Sequence, residues 1–148
     1  LAKQTDVGRL STIPITREGL GLLDVEFKPL ICTDRINADI VGTCFLTREI
    51  GGQVTGFHCH TYGDIELGAN AKPILITHAK NVNYFKGPQD LVSGVSNKQG
   101  NVVGVFIHGL LDYNPIVTQN IMQSLDIAPS ELEAIKAANA KLLDTIKS

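Results

Sequence analysis

The sequence predicts an α/β protein in which helices pack on a mixed sheet that contains hairpins. Three observations support this prediction: several β-rich runs are separated by turn residues, one continuous apolar run (Asn101–Ile107) follows them, and the chain ends in two segments of helical periodicity. Helical crossovers are too few for a self-contained doubly wound fold. We therefore expect the sheet to be incomplete on its N-terminal side.

Length and composition indicate one globular domain over residues 1–148. Hydrophobic residues make up 43% of the chain and charged residues 19%, which is enough apolar material for one core. The formal net charge of -2 leaves no basic surplus for binding a nucleic-acid backbone. No apolar run is long enough to cross a membrane. The three cysteines lack metal-binding spacing and are typical of reduced thiols in a cytoplasmic protein.

The chain begins at Leu1, without an initiating methionine or a signal peptide. We expect it to be a piece of a longer protein. A sheet that lacks its first units exposes an edge and an apolar face, and such surfaces favour self-association. The sequence therefore predicts a homo-oligomer.

Turn residues define the first predicted strands. Gly19–Phe27 is an apolar run that follows a connecting segment, and it is the first of these strands. Ala38–Ile50 and Gln53–His60 flank the dipeptide Gly51-Gly52, which favours a tight hairpin between two β-rich runs. The sequence therefore predicts an antiparallel pair here.

A second hairpin leads to the most informative residue of the chain. Lys72–Thr77 is a short strand, and Leu91–Ser96 and Asn101–Ile107 flank a polar turn. The last run is continuously apolar, as in strands buried on both faces, and it ends at His108. Ligands of open parallel sheets gather beyond the carboxyl ends of the strands. His108 is thus a candidate catalytic residue, and the alternative is a core histidine at a strand end.

The C-terminal segments carry helix start signals. Asn114 is expected to cap a helix that has Pro115 in its first position. Ser130 and Glu133 have the spacing of a capping box, and an amphipathic helix is expected to follow. Both helices are interpreted as structural.

The other polar candidates have less specific patterns. His58, Cys59 and His60 are residue types that bind zinc, but strand alternation places Cys59 on the opposite face from the two histidines. We therefore predict no metal here and expect a hydrogen-bonded structural role or, for His60, a substrate-facing one. His78 is expected in a surface loop. No glycine-rich phosphate-binding motif is present, so the chain itself is expected to bind no cofactor.

Three sequence blocks together resemble one family. Gly94–Pro115 (GVSNKQGNVVGVFIHGLLDYNP) is similar to the closing motif of the cobyric acid synthase type of glutamine amidotransferase, and Gly19–Phe27 (GLGLLDVEF) is similar to its Leu-Gly-Leu-Leu-Asp-Val-Glu segment. Val54–Glu66 resembles the Gly-Tyr-Glu-Ile-His-Met-Gly segment, with His58 in place of the glutamate and His60 on the family histidine. The order of the blocks is that of the family, so the chain resembles the C-terminal part of such an amidotransferase domain.

The resemblance implies a fold and a chemistry. The fold is the flavodoxin-like α/β fold of class I glutamine amidotransferases, paired with an ATP-dependent synthetase domain or subunit that uses ATP and Mg²⁺. Glutamine is hydrolysed at a cysteine, and the ammonia amidates an activated carboxylate, here expected in cobalamin biosynthesis. By resemblance His108 is the base that activates the cysteine thiol, and His60 belongs to the glutamine site.

One departure from the family pattern concerns the nucleophile. The family cysteine lies in a Gly-x-Cys-Gly-Gly elbow upstream of the Leu-Gly-Leu-Leu segment, and Cys32, Cys44 and Cys59 have no such surroundings. We therefore predict that this chain alone does not hydrolyse glutamine and that its partner is the N-terminal part of the domain. Leu110 stands where many class I amidotransferases have an orienting glutamate, a feature that the cobyric acid branch shares.

Two alternatives remain open at this stage. The chain can be a non-catalytic binding or scaffold domain that kept the fold and lost the nucleophile. It can also belong to the neighbouring branch that amidates a peptidoglycan lipid precursor, lipid II, because the sequence HGLLDYNP is compatible with that branch.

Overall fold

A computed structural model of the chain describes residues 3–6, 15–48, 50–83, 87–128, 130–131, 133–138 and 141. For residues 3–6 and 15–17 it describes the backbone alone. Within these ranges nine strands are followed by two helices, and residues 130–131, 133–138 and 141 are also helical. The elements are β1 (Lys3–Asp6), β2 (Ile15–Glu18), β3 (Val25–Lys28), β4 (Cys32–Ile40), β5 (Gln53–His60), β6 (Asp64–Leu67), β7 (Ala71–Ala79), β8 (Gln89–Asn97), β9 (Val103–Val105), α1 (Leu110–Tyr113) and α2 (Pro115–Ser124).

The strands form two sheets. The small sheet has the order β2-β1-β3-β6 and is mixed, because β1 pairs with β3 in parallel and its other pairs are antiparallel. The large sheet has the order β5-β4-β7-β8-β9 and is antiparallel throughout. Mixed pairing, hairpins and covering helices confirm the predicted α/β class.

The first predicted hairpin has the right second strand, but its first strand and its turn are misplaced, because only residues 38–40 of the predicted Ala38–Ile50 belong to β4. β4 and β5 pair in antiparallel register with Asp39 opposite Gln53, as expected. However, β4 ends at Ile40, and the chain enters β5 only at Gln53. The Thr47 hydroxyl donates to the Gly42 carbonyl over 2.8 Å and holds the connection as an ordered loop. The Gly-Gly dipeptide is thus the end of a longer loop and not a two-residue turn.

The first predicted strand is shorter than expected. β3 begins at Val25, and residues 19–24 precede it outside any strand. Gly21 has a φ of 74°, a left-handed conformation that interrupts an extended chain. The apolar run therefore continues through a turn before it enters the small sheet.

The strand before His108 is not buried on both faces. β8 and β9 form the second predicted hairpin, but β9 is the last strand of the large sheet and is antiparallel to its neighbour. The side chain of Val105 is 40% exposed. The expectation that this strand is central in a parallel sheet is therefore wrong. The apolar residues Val103 and Phe106 of this run instead pack against core clusters from the edge of the large sheet.

The large sheet curls until its two edges meet. Beyond β9, the backbone of His108 bridges to Phe57 on β5, the strand at the opposite edge. Gly56 permits this approach, since a Cβ there would lie 2.4 Å from Ile107 Cγ2 and 2.6 Å from the His108 carbonyl oxygen. The two edges of the large sheet thus come together beside Gly56, a residue that has no side chain to keep them apart.

The main core lies between the curled sheet and the two helices. Its fully or nearly fully buried side chains come from β4, β5 and β7, from the segment after β9 and from both helices, and they include Ile36, Val54, Ile74, Leu75, Ile107, Leu110 and Val117. A second cluster joins the small sheet to β8 through Val25, Ile65 and Val95. No described helix is long and apolar enough to span a membrane.

The helix start signals were partly right. Pro115 is the first residue of α2, as predicted, but the Asn114 side chain makes no capping bond. Its amide instead pairs with both backbone groups of Thr55, donating over 2.8 Å and accepting over 3.0 Å, and so ties α2 to β5. The predicted Ser130 capping box is wrong, because Ser130 is already helical and the Glu131 carboxylate accepts from the Ala128 N–H. The final predicted helix is confirmed in residues 130–131, 133–138 and 141, and its apolar residues Leu132, Leu142, Leu143 and Ile146 lie outside the described residues.

Candidate functional site

His108 lies where the two edges of the large sheet meet. Its backbone N–H donates to the Phe57 carbonyl over 2.9 Å, and its carbonyl accepts from the Phe57 N–H over 3.0 Å. The side chain is exposed. A fixed backbone that carries a solvent-facing imidazole is suited to proton transfer with a substrate or with another protein segment.

Gly109 turns the chain away from the sheet directly after His108. Its φ is 73°, and a Cβ at this position would lie 2.6 Å from the Tyr113 ring. A residue with a side chain is disfavoured there, both by conformation and by space. The backbone bridge between His108 and Phe57, which we call the edge bridge, is therefore followed by a single residue, Gly109, before α1 begins at Leu110.

His60 lies beside His108 and is half-buried. The two imidazole rings are stacked, with centroids 5.1 Å apart and an interplanar angle of 23°. The His60 ring also stacks on the Phe106 ring, and His60 Nε2 lies 2.6 Å from the Phe106 carbonyl oxygen. Since a carbonyl only accepts, Nε2 carries the proton of the neutral ring.

His58 is buried in a polar group of three. Its Nε2 lies 3.1 Å from the Ser93 hydroxyl and its Nδ1 lies 3.4 Å from the Cys32 thiol. Ser93 donates to the Leu91 carbonyl and therefore accepts from Nε2, which leaves Nδ1 to accept from the thiol. Both ring nitrogens of His58 are thus hydrogen-bonded, as expected for a structural histidine.

Burial suppresses the charged forms of this group. Burial, together with the nearby His60 and His108 rings, lowers the pKa of His58 from 6.5 to about 4, although the Asp34 carboxylate acts in the opposite direction. Burial and the Asp34 carboxylate raise the pKa of the Cys32 thiol to about 11. Both groups are thus neutral at pH 7, as their shared hydrogen bond requires.

The free energy of unfolding is expected to fall as the pH drops from about 6.5 to about 4. In that window the imidazole of His58 takes up a proton in the unfolded chain and stays neutral in the folded chain, so protons favour unfolding. The loss is expected to approach about 3 kcal/mol at the acid end, since one pKa unit corresponds to about 1.4 kcal/mol. Urea unfolding at pH 7.0 and pH 4.5 measures it.

A pair of variants assigns this slope. His58→Asn should flatten the pH dependence between pH 4 and 6.5. His78→Asn should leave the slope unchanged, because Asp90 and Asp39 raise the pKa of His78, and its contribution is lost only as the pH rises above 6.5. An unaltered slope in His58→Asn would contradict the assignment.

The three cysteines do not provide a thiol next to the exposed imidazole. Cys32 and Cys44 are buried, and their sulfur atoms contact His58 and Thr47, respectively. Cys59 is exposed, and the burial pattern of β5 places it on the opposite face from the two histidines of that strand. Strand alternation is confirmed. The thiol and imidazole pair that these residues do form, Cys32 with His58, is buried and neutral and does not include the exposed His108.

Alkylation should distinguish the thiols. At pH 7 a maleimide is expected to modify one cysteine of the folded chain within minutes, because only Cys59 is accessible, and all three after unfolding in guanidinium. Mass spectrometry before and after unfolding counts the adducts. Rapid double modification of the folded Cys59→Ser variant would contradict the burial of Cys32 and Cys44.

The remaining sequence candidates lie apart from the site. His78 is within β7 and not in a loop, and its exposed ring lies between Asp39 and Asp90, at Nε2–Oδ2 and Nδ1–Oδ1 distances of 2.8 Å and 2.5 Å. In the ranges that the structure describes, no three His, Cys, Asp or Glu side chains are arranged to hold a metal ion. Sequence reasoning missed Ser93, whose only signal is a polar residue in the apolar run of β8.

Comparison with known proteins gives relatives of one kind. A cobyric acid synthase from Clostridium botulinum (strain 657 / Type Ba4) is 34% identical over 114 residues, which cover 74% of this chain and 19% of that protein. One from Desulforamulus reducens is 34% identical over 100 residues, covering 64% of this chain and 18% of that protein. No protein-family profile and no solved structure matches the chain.

The architecture is consistent with one class of protein. A mixed α/β fold with a curled antiparallel sheet and a few helices agrees with an α/β domain of the glutamine amidotransferase type. The chain belongs to the cobyric acid synthase family. It spans about one fifth of the length of the curated relatives that it matches.

Proposed function

We propose that this chain is the histidine-bearing part of a glutamine amidotransferase that supplies ammonia for ATP-dependent amidation of carboxylates in cobalamin biosynthesis. The family membership supports an amidotransferase role. The observation that carries the proposal is the exposed imidazole of His108 on a backbone held by two hydrogen bonds to Phe57. His108 is the general base of the proposed reaction.

The chemistry requires a base in this position. A free thiol is mostly protonated at neutral pH and becomes a nucleophile when a neighbouring imidazole takes its proton. His108 would take the thiol proton, return it to the departing ammonia, and then remove a proton from the water that cleaves the thioester. Each step needs an accessible imidazole in a fixed position. The His108 side chain is exposed, and the two backbone hydrogen bonds to Phe57 fix the main chain that carries it.

The nucleophilic thiol is proposed to come from outside these 148 residues. The buried Cys32 and Cys44 and the outward-facing Cys59 have environments unlike that of a thiol paired with His108. The N-terminal part of the domain would bring the thiol to the exposed side of the imidazole. The synthetase part of the complete protein would bind ATP and Mg²⁺ and supply the acceptor carboxylate.

The chain alone is therefore expected to release no ammonia from glutamine. Without an activated thiol, hydrolysis should remain at the rate of the uncatalysed reaction. Coupled detection of glutamate measures it, with the complete protein as the positive control. Glutamine hydrolysis by residues 1–148 that is abolished by His108→Ala would show that the nucleophile is within this chain.

A further inference from the structure

We propose that His60 is a positioning residue that sets the plane of the His108 imidazole by stacking against it. The inference rests on the proposed function and deepens it, because it assigns His60 to the base and not to the substrate. The substrate-facing role that the sequence suggests for His60 is thereby replaced.

A column of rings leads to the exposed imidazole. Phe27 and Phe106 contact each other between the two sheets, with centroids 5.2 Å apart. His60 stacks on Phe106 at 3.9 Å and 22°, and His108 stacks on His60 at 5.1 Å and 23°. The Phe27 and Phe106 rings are packed against a core cluster, and the His108 ring is exposed. His60 lies between them and therefore connects the exposed imidazole to packed side chains.

The orientation of His60 is itself fixed. Its Nε2–H donates to the Phe106 carbonyl, and the same residue provides the ring on which His60 stacks. One hydrogen bond and one stacking contact to Phe106 define both the plane and the rotation of the imidazole. The Nε2 proton of His60 is therefore used in a hydrogen bond within the protein and is not available for a hydrogen bond to glutamine.

The charges of the two imidazoles also favour this division of roles. Burial lowers the pKa of His60, and a positive charge on His108 lowers it as well, although the Phe106 carbonyl acts in the opposite direction. The half-buried His60 ring therefore resists protonation while it stacks on His108. A neutral stacked ring supports the base without competing for its proton.

Among the described residues, the ring contact of the His108 imidazole is with His60, and neither Leu110 nor Asp112 is placed to orient it. Leu110 is buried in the core, and Asp112 is exposed on α1. The backbone bridge to Phe57 fixes the Cα of His108 but leaves the rotation of the side chain free. The stacked face of His60 is the contact that restricts it.

Two substitutions separate stacking from other roles. His60→Leu removes the ring, and His60→Phe keeps the ring and removes the donor. In NMR spectra of the 148-residue chain, the His108 ring protons are expected to keep their ring-current shift in His60→Phe and to lose it in His60→Leu. Retention of the shift in His60→Leu would overturn the proposal.

The complete protein provides the kinetic readout. His60→Leu is expected to lower kcat for glutamine hydrolysis by about 10-fold with KM unchanged, whereas His60→Phe stays within about threefold, since misplacing a catalytic group by about 1 Å costs up to about 10²-fold. His78→Leu is the matched control, because His78 lies on β7 and contacts Asp39 and Asp90. It should leave both kcat and KM unchanged.

The outcomes are distinct from those that test the proposed function. A raised KM with unchanged kcat in His60→Leu would make His60 a substrate contact, and equal losses in both variants would show that the stack is not the cause. Either result overturns the proposal. Absence of glutamine hydrolysis in the unaltered complete protein would refute the proposed function, whereas the ring-current measurement decides the position of His108 independently.

Discussion

His108→Asn in the complete protein is expected to lower kcat for glutamine hydrolysis by about 10²- to 10⁴-fold, the usual contribution of a general base. Asparagine keeps the backbone bridge to Phe57, because that bridge uses main-chain atoms only. It cannot accept and return a proton at neutral pH. Steady-state release of glutamate measures the effect.

The control for this prediction is a histidine of similar exposure. His78→Asn changes an exposed imidazole on β7 that contacts Asp39 and Asp90, and it should leave glutamine hydrolysis unchanged. Amidation with free ammonium in place of glutamine should also survive in His108→Asn, because the synthetase step does not need the base. An unchanged kcat in His108→Asn would reduce His108 to a structural residue and favour the scaffold alternative.

Gly56→Ala is expected to destabilise the chain by about 1–3 kcal/mol, the typical cost of overpacking. The added methyl group would lie 2.4 Å from Ile107 Cγ2 and 2.6 Å from the carbonyl oxygen of His108. Because a backbone atom is among its neighbours, a side-chain rotation cannot relieve the contact. The edge bridge must open or β5 must shift, and urea unfolding at pH 7 measures the loss.

Gly51→Ala is the matched substitution. Gly51 lies in the loop that precedes β5, and a Cβ there meets no atom within 4 Å. Its free energy of unfolding should stay within about 1 kcal/mol of the parent, or rise slightly through loss of unfolded-state entropy. Equal stability of the two variants would contradict the close approach at the edges of the large sheet.

Local sequence pattern found some of the strands and their pairing with sequence neighbours. Turn residues between β-rich runs predicted the pair β8–β9, which its register confirms, and predicted the partner of β5 in the segment after β4. The strands β1 and β6 and residues 32–37 of β4 were not predicted. The boundaries were less accurate, because glycines that serve a loop resemble glycines of a tight turn, as at Gly51 and Gly52. The apolar run of β9 was read as central because edge and central strands differ in their neighbours and not in their composition.

Long-range contacts had no local signal. Nothing in the sequence near Phe57 or His108 indicates that their backbones pair across the sheet. Asn114 carries a good helix-cap signature, yet its amide binds the backbone of Thr55 on β5, since an amide group can complete a strand edge as well as a helix end. The sequence made His108 a candidate, whereas its stacking on His60 could be established only from the structure.

The edge bridge also bears on when the site is assembled during folding. Phe57 lies on the edge strand β5 and His108 follows β9 at the opposite edge, so their pairing needs the intervening strands in register and the closure of a long chain segment. Contacts of that kind form slowly compared with hairpins. The proposed base therefore reaches its position only after β4, β7 and β8 are in place. A partly folded chain would therefore contain its hairpins before it contains the bridge that places His108.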